Sequence, residues 1–260
     1  MLSFLDPLLP LWGVCEYPRD LPPSARLPEG ARRVIAAAFP YRLPEEYYAG
    51  RNVSRYAVPR DYHAVCGERL ERACALLREV WPGEEFVWFC DNSPLREVEL
   101  ARRAGLGARG RHGLLITKEY GTWVFLGEIV TTAALPVSES APLLNPCEGC
   151  AAPCAAACPT GALGTSGFDA QKCLSAATQR KGGLSPEEEE LLRRAQSAWG
   201  CDLCQEACLA NQNACIAPLS EFLVDIMAHV TPETPIAGRA YAWRGDGVIR
   251  RNLGATNNEQ

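Results

Sequence analysis

The chain has 260 residues and a mass of 28.3 kDa, enough for one large domain or two smaller ones with a substantial core. Hydrophobic residues make up 47% and charged residues 22%, a globular composition that excludes wholesale disorder. The formal net charge of -5 excludes a chain that is basic overall, so nucleic acid would have to be met by a local patch, and no apolar run approaches the roughly 20 residues that cross a bilayer.

From the N-terminus, Met1–Asp6 has neither a basic n-region nor an apolar h-region, so a reducing, cytoplasmic setting is expected. Arg33–Phe39, closed by Pro40, is an apolar run of strand length. Asp61 to Val80 has helical spacing, with Leu70, Ala73, Leu76, Leu77 and Val80 on one side, and Trp81-Pro82-Gly83 stops it. Glu85–Cys90 reads as a strand. Ser93 and Pro94 then suit the N-cap and first position of a helix that Gly105 closes. Gly113–Thr117 and Thr122–Gly127 read as two strands about a turn at Glu119–Gly121. Ser138–Pro142 reads as a linker, and Ser185-Pro186 opens a helix whose start carries Glu187–Glu190. The order of strands and helices makes residues 1–140 an α/β unit.

Thirteen cysteines are the unusual feature. Cys15, Cys66, Cys74 and Cys90 lie early and lack ligand-like spacing, which suits small core residues. The rest begin at Cys147-x2-Cys150-x3-Cys154-x3-Cys158-Pro159, followed by Cys173 and by Cys201-x2-Cys204-x3-Cys208, with Cys215 left over. Three thiolates along a loop grip one cube, and a fourth Cys followed by Pro leaves to ligate the other cube. That exchange logic assigns Cys147, Cys150, Cys154 and Cys208 to one 4Fe-4S cluster. Cys158, Cys173, Cys201 and Cys204 go to a second. The usual spacing is two, two, three, so the extra residue near Pro153 must be absorbed by the loop. Structural zinc is the competing reading of the Cys-x2-Cys pairs.

Four segments resemble the epoxyqueuosine reductase family, cobalamin-dependent iron–sulfur enzymes related to reductive dehalogenases. They are Ser54–His63; Asp91–Leu95 running to Arg103–Gly107; Gly110–Thr117 with Tyr120–Ile129; and the cysteine block to Cys208. The resemblance implies an α/β (α+β) cobalamin-binding domain over 1–140, followed over 141–235 by a bacterial ferredoxin-like double 4Fe-4S domain. Residues 236–260 would be a tail, the remnant of the family's helical-repeat region.

The family's reaction is reductive removal of an epoxide oxygen from a tRNA base to give queuosine. By resemblance, Asp91 stands where the proposed general acid stands, and an acid there needs a raised pKa, which burial beside the corrin would provide. Arg55, Tyr56, His63, Asp91, Gly110, Arg111, His112 and Leu115 are the candidate cobalamin contacts, the cofactor being held base-off. A low-potential protein would donate electrons, with tRNA or a smaller queuosine-related molecule as substrate and no membrane partner. The chain departs from the family at Pro59, usually Gly, and at Leu209-Ala210-Asn211 in place of Pro-Trp-Asn. It also lacks an aromatic residue after Cys173. Two further functions fit the sequence: a cobalamin-dependent reductase of another small molecule, and a two-cluster electron carrier without corrinoid, which a blocked pocket would reveal.

Overall fold

The structure, a computed structural model, describes residues 2–19, 24–139, 145–164 and 167–257. Its strands are β1 (Leu11–Glu16), β2 (Arg33–Pro40), β3 (Phe86–Phe89), β4 (Ala108–Arg109), β5 (Leu115–Ile116), β6 (Val124–Thr131), β7 (Leu163–Gly164) and β8 (Gly167–Phe168). Its α-helices are α1 (Tyr62–Val80), α2 (Glu97–Arg103), α3 (Pro153–Ala156), α4 (Leu174–Gln179), α5 (Pro186–Ala195), α6 (Leu203–Glu206) and α7 (Asp246–Asn257). No helix among the described residues is long and apolar enough to cross a membrane.

The apolar runs pair into one antiparallel sheet in the order β1-β2-β6-β3, with Ile35 opposite Ile129 and Val34 opposite Val130. Alternate residues point to opposite faces, so both faces carry apolar side chains. Helix α1 covers one face with Leu70, Ala73 and Leu77; its N-cap is Asp61, whose carboxylate accepts the His63 amide. Helix α2 covers the other with Leu100 and Ala101, against Val34, Ala36 and Ala38. The first core continues past position 140 to Trp199, Phe222 and Tyr241, so one apolar interior spans the boundary drawn from the sequence.

Three local outcomes differ from the sequence reading. Helix α2 begins at Glu97, with Arg96 as an uncapped N-cap. Ser93 does not cap it because its hydroxyl accepts the Leu95 amide at 3.0 Å and donates to Glu128. The expected strand at Gly113–Thr117 shortens to the two residues of β5. Within the segment 236–260, residues 246–257 form α7 and dock on α4 and α5. Val248, Ile249 and Leu253 are buried there, and the Asn252 side-chain amide donates to the carbonyls of Thr178 (2.8 Å) and Ala198 (2.7 Å).

Candidate functional site

Two short helices set out the cysteines. Cys154 lies in α3, Cys204 lies in α6, and α3 packs against α6. The residue added to the usual ligand spacing is absorbed at Ala152, which takes a left-handed φ of 56° just before α3. Cys147, Cys150, Cys154 and Cys208 together line one small cavity. The thiols whose charges act on Cys204 are Cys201, Cys173 and Cys158. The fold therefore gathers the eight thiols into two quartets, each taking one member from the other's sequence motif. The thiols of the first quartet ring a void; among the described residues no three Cys, His, Asp or Glu side chains close on a single ion.

Buried polar clamps tie both quartets to the first 140 residues. Asp202, between Cys201 and Cys204, accepts hydrogen bonds from the Ser54 hydroxyl and, at 2.7 Å, from the Arg55 amide. Asn211, after Cys208, accepts the Thr122 amide at 2.7 Å and donates to the Thr122 hydroxyl oxygen at 2.7 Å. Two glycines allow these approaches. A Cβ on Gly200 would stand 2.5 Å from Ser54 Cβ, and one on Gly121 only 2.0 Å from Asn211 Oδ1; both backbones have positive φ.

A cleft of about 360 Å³ opens between the sheet and the second quartet. Cys173, Cys201 and Cys204 stand in one wall, and Asp91 stands in the same lining. Tyr62 and Phe125, both lining residues, stack at 4.1 Å with an interplanar angle of 8°. Tyr56, Leu114, Val124 and Phe168 extend the apolar surface, while Ser54, Thr122, Ser175, Gln179 and Gln205 supply hydroxyls and amides.

Asp91 follows β3 at φ 57°, and Asn92 follows at φ 44°. Two successive left-handed residues are strained in most sequences, but Asp and Asn tolerate this region best. The turn aims the Asp91 carboxylate back at α1. Oδ2 accepts the Tyr62 hydroxyl at 2.7 Å and lies 3.5 Å from His63 Nε2, while His63 Nδ1 lies 2.8 Å from Asp61 Oδ1. The hydrogen bonds to Asp61 and then Asp91 push the His63 imidazole up to about 10. His63, Tyr62 and the Asn92 amide hold Asp91 well below the usual carboxylate range. The raised pKa expected of Asp91 belongs to a carboxyl buried beside the corrin. The side chain is 58% exposed and sits beside a cation, so desolvation does not dominate without an occupant in the cleft.

Behind this turn lie two further carboxyls. Glu128 on β6 is 1% exposed and bonds the Ser93 hydroxyl, while Glu97 stands at the start of α2. Glu97 Oε1 and Glu128 Oε2 are buried with no partner among the described residues. Burial raises both, with the charge of Asp91 adding at Glu97 and that of Glu97 adding at Glu128. The folded state thus holds protons that the unfolded chain releases near its ordinary carboxylate pKa. Stability is full below that pKa and falls as pH rises toward the raised folded values. Glu128→Gln should flatten this slope, by about 1.4 kcal/mol for each pH unit across which the folded carboxyl keeps a proton that the unfolded one has lost. Urea unfolding of parent and variant at pH 5 and pH 8 checks it, and parallel profiles would disprove it.

Of the candidate contacts inferred from the sequence, Tyr56 and Asp91 line the cleft and six others do not. Arg55 turns away to pair with Glu45 (2.9 Å) and Glu206 (3.3 Å) over the Tyr48 ring. His63 sits behind Asp91. Arg111 and His112 line the first quartet's cavity, where the Arg111 amide donates to Cys147 Sγ at 3.3 Å. Gly110 packs against the His112 ring, and Leu115 is buried in the core beneath α2. Tyr62, Leu114 and Phe125 were missed. Tyr62 and Phe125 fall inside the segments that carry the resemblance, but nothing local announces their stacking. Cys15, Cys66, Cys74 and Cys90 are buried and Cys215 is exposed.

Comparison with known proteins agrees with this arrangement. Residues 23–92 match a family model described as epoxyqueuosine reductase QueG, DUF1730, and residues 146–211 match a 4Fe-4S double cluster binding domain. An epoxyqueuosine reductase of Gloeobacter violaceus is 41% identical over 190 residues, covering 71% of this chain and 58% of the relative. That of Lactococcus garvieae is 33% identical over 245 residues, covering 86% and 68%. A crystal structure of epoxyqueuosine reductase with an epoxyqueuosine-modified tRNA-Tyr stem loop shares the fold at TM-score 0.82 and 22% identity, over 98% of this chain and 79% of that one. The chain spans 53–58% of the length of the three curated relatives it matches first. With its 33% identity across 68% of the Lactococcus relative, the chain belongs to the epoxyqueuosine reductase family.

Proposed function

We propose that this chain is a cobalamin-dependent iron–sulfur reductase that removes an epoxide oxygen, acting on epoxyqueuosine in tRNA or on a smaller queuosine-related molecule. One observation carries the reading: a single cleft has Asp91 in its lining and three cysteines of the second quartet in its wall. A route for electrons and a route for protons end in the same space. Taking the oxygen off as water consumes two electrons and two protons, so both routes are needed.

The residues fit the groups this requires. A quartet of thiols around a void suits a cube whose four irons each take one thiolate, and the two quartets would hold one cluster each. The stacked Tyr62–Phe125 pair and the apolar wall suit the flat face of a corrin ring. The hydroxyls and amides of Ser54, Thr122, Ser175 and Gln179 suit its amide rim. Bound there, the corrinoid supplies a reducible metal centre, and the protein supplies position, electrons and protons. Filling the cleft removes water from Asp91 and raises its pKa toward that of a working acid. The proton on His63 then stands one hydrogen bond behind Asp91 Oδ2. Electrons from a low-potential donor protein enter at the first quartet, the one remote from the cleft. The setting is the cytoplasm, where thiols stay reduced for cluster assembly.

An open cleft disfavours an electron carrier without corrinoid. A second reading, reduction of another small molecule, is favoured by the C-terminal arginines. Arg251 is occupied by the carbonyls of Ala177, Arg180 and Gly182, and Arg250 pairs with Asp246 at 3.2 Å. Few cations remain there for the several phosphate contacts a tRNA site needs. Anaerobically reconstituted protein should bind cobalamin and shift its visible spectrum toward the base-off form. No shift at high micromolar cobalamin would remove the corrinoid from the proposal. Turnover of epoxyqueuosine tRNA against the free nucleoside separates the two substrate readings.

A further inference from the structure

His112 lies in the turn between β4 and β5, is 4% exposed, and lines the cavity ringed by Cys147, Cys150, Cys154 and Cys208. Its ring is fixed on two sides. The Leu114 amide donates to Nδ1 at 3.2 Å, and Gly110 lies so close that a Cβ there would stand 2.5 Å from Cε1. Because Nδ1 accepts a hydrogen bond, the proton of the neutral imidazole is on Nε2. That Nε2–H is buried and has no acceptor among the described residues. Buried donors are seldom left without a partner, because nothing replaces the water they lose. Among the described residues, the side-chain acceptors lining the cavity are the four sulfurs. The same turn already gives one hydrogen bond to that ring of thiols, from the Arg111 amide to Cys147 Sγ.

We propose that His112 donates its Nε2–H to a sulfur of the iron–sulfur cluster held in this cavity and so raises that cluster's reduction potential. The proposal rests on the ligand assignment made above for the first quartet. Reduction adds one electron, whose charge spreads over the sulfurs, and a hydrogen bond to sulfur stabilises the reduced form more than the oxidised one. His112 is thus a tuning residue for the cluster that receives electrons.

The test is a redox titration of the anaerobically reconstituted full chain, followed by electron paramagnetic resonance. His112→Leu should make reduction of one cluster about tenfold less favourable, which for one electron is a fall of about 59 mV, and leave the other cluster where it was. His112→Gln, which returns an N–H near the place of Nε2, should recover most of the fall. Unchanged potentials in His112→Leu would overturn the proposal, as would equal falls in the Leu and Gln variants. A second measurement needs no variant. With 15N-labelled histidine, the reduced parent should show nitrogen coupling from one imidazole to one cluster, and its absence would also overturn the proposal. If Cys208→Ala leaves the iron content at the parent level, the ligand assignment itself fails, an outcome distinct from a full set of clusters with unmoved potentials.

Discussion

Asp91→Asn is expected to retain corrinoid binding and iron content while turnover of the epoxide substrate falls by about 10²–10⁴-fold, the usual worth of general acid catalysis. Asn keeps the size of the side chain and the left-handed backbone that Asp91 adopts, so the turn should survive. It can accept the Tyr62 hydroxyl as the carboxylate does, but it cannot pass a proton on. The structure also predicts an effect behind the substituted residue. Asp91 is the second cause, after Asp61, of the raised His63 pKa. Removing its charge should therefore lower the His63 pKa from about 10 while leaving the Asp61 share in place. Stability that His63 gains from being protonated is present below its unfolded pKa and lost as pH rises through the folded value, so in the variant that contribution should be smaller and its loss complete at lower pH. Single-turnover kinetics, together with titration of the His63 ring signals by nuclear magnetic resonance, reads both effects. A variant that turns over at the parental rate would take Asp91 out of the mechanism.

What could be read from the sequence depended on whether the chemistry was local. The iron–sulfur character of the cysteine block was legible because ligand spacing is local, and residues 146–211 match a 4Fe-4S double cluster binding domain. The long helix α1 and strands β2 and β3 were legible from periodicity, within one or two residues at their ends. The lining of the cleft was not. Leu115 was named where Leu114 faces the cleft, because a two-residue strand after left-handed Gly113 sets the phase, and a shift of one residue exchanges the two faces. Arg55 looked like a pocket residue, but its partners Glu45 and Glu206 lie on different elements that only the fold brings together. Ser93 has good capping chemistry, yet a carboxyl on β6 claims its hydroxyl. Strand β1 and helix α7 were missed because each owes its place to the shared core. Neither has a strong pattern of its own.

Cys158→Ala is expected to cost the cluster of Cys173, Cys201 and Cys204 and to spare the one surrounded by its own sequence neighbours. Iron content should fall from about eight to about four atoms per chain after anaerobic reconstitution. The argument is geometric. Cys158 leaves α3 at its C-terminal end, and its thiol appears among the electrostatic neighbours of both Cys201 and Cys204. Those of Cys208 are Cys154, Cys147 and Cys150. Because α3 and α6 pack on each other, each helix sends its last cysteine across to the opposite quartet. Cys208→Ala should therefore give the mirror result, losing the first cluster while Cys158 stays engaged in the second. The functional consequences differ as well. Without the second cluster no electrons reach the cleft, so turnover should vanish with any reductant that acts through the protein, although cobalamin still binds. Without the first, a small reductant able to reach the second cluster directly should still support some turnover. If Cys158→Ala destroys the cluster beside Arg111 and His112 and leaves the one in the cleft wall, the ligand exchange is wrong, and so is the direction assigned to the electrons.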